Sequence, residues 1–82
     1  MNIEELKTQA VEFAKEFKET DIMPDFKNYD YNISEWWLIM TLAQVYYNLM
    51  QGNYTRGQAL QEQKKAISLV QNNEDILIAL GV

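Results

Sequence analysis

Eighty-two residues with 48% hydrophobic side chains, three glycines and one proline suffice for one folded domain and exclude a disordered or low-complexity chain. The chain has no cysteine and no histidine, which removes disulfides, thiolate metal sites and the commonest general base. Its net charge of −5 is concentrated in residues 1 to 35, which hold nine acids against four lysines, whereas residues 36 to 82 hold three of each. A chain with so little cationic surface is not expected to bind nucleic acid directly, because phosphate contacts require clustered Lys and Arg.

The first predicted helix spans about residues 3 to 19. Asn2 precedes it as a cap, with Glu5 three residues on, and Glu4 and Glu5 suit the positive end of the helix dipole. Ile3, Leu6, Ala10, Phe13, Ala14 and Phe17 recur at steps of three and four and form one apolar stripe. The lysines and glutamates between them form a solvated face. The next segment, TDIMPDFKNYDYNI at residues 20 to 33, has no helical period, and Pro24 drives Met23 away from helical angles. So long a connection is expected to be packed down by its own side chains: Ile22, Met23, Phe26, Tyr29, Tyr31 and Ile33. Asp21, Asp25, Asp30 and Asn32 cluster there, but their spacing does not fit a calcium loop. No metal or cofactor is expected.

A second helix is predicted from Ser34, as its cap, to about Gln51, with Gly52 or Asn53 ending it in the left-handed conformation. Thr41, Gln44 and Asn48 interrupt its apolar residues, which makes it a poor bilayer span. At 100° per residue, Ile39, Leu42, Ala43, Tyr46 and Met50 share one face, assigned to the core. Ser34, Thr41, Gln44, Asn48 and Gln51 fall on the opposite side, with Trp37 among them. Aromatic and neutral polar groups without charge are the composition of a binding patch. Trp36, Trp37, Met40, Gln44 and Tyr47 are therefore the candidate protein-binding residues. In the competing reading, the aromatic loop folds over Trp37 and hides it.

Thr55 and Gln58 match a capping box and open a third helix whose inward side is Ala59, Leu60, Gln63, Ala66, Ile67 and Val70. Asn72 and Asn73 interrupt that pattern. Asn73 is expected to cap a short fourth helix carrying Ile76, Leu77 and Leu80, although one helix running from Arg56 to Leu80 also fits. The expected fold is thus all-α: a small bundle of three main helices plus a short C-terminal helix, with a long aromatic loop between the first two, in one domain covering residues 1 to 82.

Residues 50 to 66, MQGNYTRGQALQEQKKA, resemble a pattern common in short proteins of Gram-positive phages and integrated mobile elements. In that pattern a hydrophobic or tyrosine-containing helix is followed by Gly-x-Tyr/Ile-Thr/Ser, then Ala, then a Lys-rich helix. Gly52, Tyr54, Thr55, Ala59, Lys64 and Lys65 are the matching positions, and the stretch is about a fifth of the chain. The resemblance implies a small accessory protein, of a group that includes regulators and inhibitors of host enzymes or defence systems. The N-terminal MNIEELKTQA has neither a basic n-region nor an apolar h-region, so the cytoplasm is the expected location.

The functional expectation is a non-enzymatic module that binds another protein, a second copy of itself included, through the second helix. A rival reading is an acidic inhibitor that imitates nucleic acid, for which the acids of residues 1 to 35 would have to form a continuous negative face. A third is an enzyme or small-molecule carrier with a pocket under the long loop, although no residue asks for it.

Overall fold

The computed structural model describes the backbone of residues 2 to 79 and the side chains of residues 2 to 72. Three α-helices make up the fold: α1 (Ile3–Thr20), α2 (Ile33–Met50) and α3 (Arg56–Ala79), with a single 3₁₀ turn at Phe26–Asn28 between α1 and α2. No strand occurs among the described residues. The fold is all-α, and α2 is its middle element, packed against α1 on one side and α3 on the other.

Each helix begins where its sequence supplies a side-chain oxygen for the orphan backbone N–H groups of the first turn. Asn2 accepts from the Glu5 N–H at 3.3 Å. A reciprocal capping box starts α2: the Glu35 N–H donates to Asn32 Oδ1 at 2.8 Å and the Asn32 N–H to Glu35 Oε1 at 3.0 Å. Thr55 and Gln58 form the same box at the start of α3, with distances of 2.9 and 3.2 Å. The cap of α2 is therefore Asn32 and not Ser34, because Asn32 has a Glu three residues ahead to complete the pair. At the far end of α2, Gly52 takes φ +78° and turns the chain into the short α2–α3 connection.

The expected break at Asn72 and Asn73 does not occur. The backbone continues through both as one helix to Ala79, so the separate fourth helix is replaced by a longer α3. Asparagine inside a helix is disfavoured by only about 0.7 kcal/mol relative to alanine. Two such residues weaken a helix without ending it. The side chains of Ile76, Leu77 and Leu80 lie outside the described residues.

The core draws on all three helices: Leu6, Ala10 and Phe13 from α1, Leu38, Ile39, Leu42 and Ala43 from α2, and Ala66 and Val70 from α3. The hydrogen bond between residues 46 and 63, the short connection at Gly52 and the shared core of Ile39, Leu42, Ala66 and Val70 make α2 and α3 an antiparallel helical hairpin. The contribution of α3 is small in bulk, and Leu60, expected to point inward, is 55% exposed. A polar tie supplements that thin interface. The Tyr46 hydroxyl of α2 donates to Gln63 Oε1 of α3 at 2.6 Å.

Burial, and secondarily the carboxylate of Glu4, raises the Tyr46 hydroxyl above its ordinary pKa of 10.0. Its folded state therefore holds the proton more tightly than the unfolded chain does. This contribution to stability is complete below pH 10 and is lost as pH rises through the folded-state pKa. Tyr46→Phe removes the hydrogen bond and is expected to lower stability by about 1 kcal/mol at neutral pH. It should also flatten the decline above pH 10, both effects being read from urea midpoints across a pH series.

The connection between α1 and α2 is pinned by its aromatic half only. Tyr29 meets the edge of Phe13 with ring centroids 5.0 Å apart, and the Tyr31 hydroxyl donates to Gln9 Oε1 at 3.3 Å. By contrast Ile22, Met23 and Ile33, expected to help pack the loop, are 69%, 58% and 78% exposed. The loop's polar residues serve as local caps. Asp21, at φ 59°, closes α1 with its backbone N–H bonded to the Phe17 carbonyl, and Asp25 accepts from the Lys27 N–H at 3.0 Å.

Candidate functional site

The two tryptophans of α2 are consecutive and therefore point about 100° apart around the helix. Trp36 turns toward the loop. Its ring lies 5.7 Å from Phe13, 5.3 Å from Phe26 and 5.7 Å from Tyr29, centroid to centroid, and it packs against the core as a half-buried member of an aromatic cluster. Trp37 turns the other way and is 43% exposed. The loop does not cover it.

Beside Trp37 runs a groove of about 470 Å³ between α1 and α2, bounded at one end by Met23 and Pro24 of the loop. Phe13, Ala14 and Phe17 form the α1 wall. The α2 wall carries Trp37, Met40 and Tyr47 together with the neutral polar groups Thr41, Gln44 and Asn48. Phe17 holds Tyr47 in place by an edge contact with centroids 5.1 Å apart. No charged side chain lines the groove.

Of the five residues singled out from the sequence, Trp37, Met40, Gln44 and Tyr47 come together on this wall, whereas Trp36 stands apart in the aromatic cluster. Phe17, Met23 and Pro24 belong to the groove and were not singled out. By sequence Phe17 belongs to the apolar stripe of α1. It is half-buried, packed against Tyr47 with the rest of its ring toward the groove. The Met23–Pro24 position follows from where the loop settles, which no local pattern encodes.

A second concavity, about 330 Å³, lies on the α2–α3 side between Tyr46, Leu49, Arg56 and Leu60. Among the described residues, no helix is long and apolar enough to cross a membrane. The chain matches no protein-family model, no curated protein and no solved structure.

Proposed function

We propose that this protein is a binding module for another protein, and that the groove carrying Trp37, Met40, Gln44 and Tyr47 is its working surface. One observation supports this reading above the others: a large aromatic side chain stays 43% exposed beside an uncharged, largely apolar groove, in a small chain that is otherwise rich in charge. Aromatic and methionine side chains in a region depleted of charge are the composition of an interface centre. The neutral amides of Gln44 and Asn48 can pair with backbone groups of a polypeptide without the desolvation penalty of an ion. Tyr47 is the one titratable group in the lining, which favours recognition over acid–base chemistry. The resemblance of residues 50 to 66 to mobile-element proteins would make the partner a host protein that this chain regulates or inhibits.

The test is site-specific photocrosslinking in cells of the source organism. A crosslinker placed at Gln44 should give a discrete protein adduct that Trp37→Ala abolishes, while one at exposed Gln61 on α3 gives none. Absence of an adduct at Gln44, or equal adducts at both positions, refutes the reading.

A further inference from the structure

The groove has a definite length and an asymmetric surround, and the two together specify the chemistry of an occupant. On α2 the lining extends from Trp37 to Asn48, three helical turns or about 16 Å. That length suits a short amphipathic helix presenting apolar anchors on one face. The charges nearest the lining in sequence belong to α1 and the loop, because no charged residue occurs between Trp36 and Thr55. From Glu12 to Glu35, both included, stand seven acids and three lysines, Lys15, Lys18 and Lys27.

Asp21 and Asp25 bracket the two loop residues that line the groove, Met23 and Pro24. Both are exposed, and neither carboxylate is in an ion pair with any described residue. Acids at the Met23–Pro24 end of an uncharged groove, on a chain of net charge −5, disfavour a second, equally acidic copy as the occupant. They attract a cationic partner.

Resting on the reading that the groove binds protein, we infer that its occupant is a basic amphipathic helix, about three turns long, with apolar anchors in the groove and Lys or Arg side chains over Asp21 and Asp25.

Two synthetic 14-residue peptides test this. Both carry leucine at the anchor positions i, i+4 and i+7, and their polar positions are all Lys in one and all Gln in the other. Binding is measured by fluorescence polarisation at 150 mM salt, with the two indole N–H resonances of the protein followed by NMR.

The Lys peptide should bind at least tenfold more tightly than the Gln peptide. It should shift the Trp37 indole signal while leaving that of Trp36 in place. Asp21→Asn combined with Asp25→Asn, which keeps both local caps, should erase the tenfold preference and retain the weaker Gln-peptide binding. Equal affinity for the two peptides overturns the inference and leaves the groove reading intact. If the Lys peptide binds the Trp37→Ala protein undiminished and the Trp37 signal does not move, the groove reading falls too, and the acids act alone, as in a nucleic-acid mimic. A dimer in sedimentation that forms with rising concentration and is abolished by Trp37→Ala overturns it in favour of a second copy.

Discussion

Phe13→Ala is expected to destabilise the protein by about 3 to 5 kcal/mol, the range for truncating a buried aromatic residue. Phe13 is 2% exposed and touches three systems at once: the common core, the aromatic cluster through Tyr29 and Trp36, and the wall of the groove. Removing its ring leaves a cavity and strips Tyr29 of the edge contact that pins the loop. A domain of this size has a total stability of only about 4 to 12 kcal/mol, so the variant should be partly unfolded at 37 °C. Phe13→Leu keeps most of the volume and should lose about 1 to 1.5 kcal/mol. Urea denaturation of the two variants measures both effects. A loss below 1.5 kcal/mol for the alanine variant would mean that the loop and α1 stay packed without this ring.

The centrality of Phe13 also shows which parts of the molecule local patterns encode. The α1 stripe is legible because burial on a helix face follows a 3.6-residue period, and Leu6, Ala10, Phe13 and Ala14 are indeed the buried positions of α1. The core face of α2 is legible only in part: Ile39, Leu42 and Ala43 are buried as expected, whereas Tyr46 and Met50 are half-buried, and Leu38 and Val45, off that face, are buried because α2 packs against both other helices. Helix starts are legible where a cap and its reciprocal partner stand three residues apart. Asn32 and Glu35 satisfy that rule as well as Thr55 and Gln58 do, so the signal for the true start of α2 was present, masked by Ser34 as a rival cap. The continuity of α3 is harder to read, because two disfavoured asparagines give no more than about 1.5 kcal/mol against a helix that tertiary contacts can hold. The groove divides similarly. Its α2 wall follows from rotation about one helix axis, whereas the Met23–Pro24 end depends on which side of α2 the loop takes. That choice is made by long-range aromatic contacts: Tyr29 and Tyr31 pack near Phe13 and Gln9, which carries the loop over Trp36 and leaves Trp37 open.

Two adjacent indoles should therefore behave as opposites. Trp36→Ala is expected to lower stability by about 3 kcal/mol, because a half-buried aromatic hub with ring contacts to Phe13, Phe26, Tyr29 and Tyr31 is lost. Trp37→Ala should change stability by less than about 1 kcal/mol, since much of that ring is already in water and its removal opens no enclosed cavity. Proteins with a single tryptophan separate the two optically. With Trp36→Phe, the remaining Trp37 should emit at long wavelength and be quenched readily by acrylamide. With Trp37→Phe, the remaining Trp36 should emit at shorter wavelength and be shielded. If the stability losses were reversed, or if both indoles were equally shielded, the loop would lie over Trp37 and the groove beside it would be closed. The physical basis of the contrast is the 100° step between neighbouring helical residues, which places one indole under the loop and the next at the mouth of an uncharged groove. Burial makes the first a determinant of folding, and exposure makes the second exchangeable at little cost in stability.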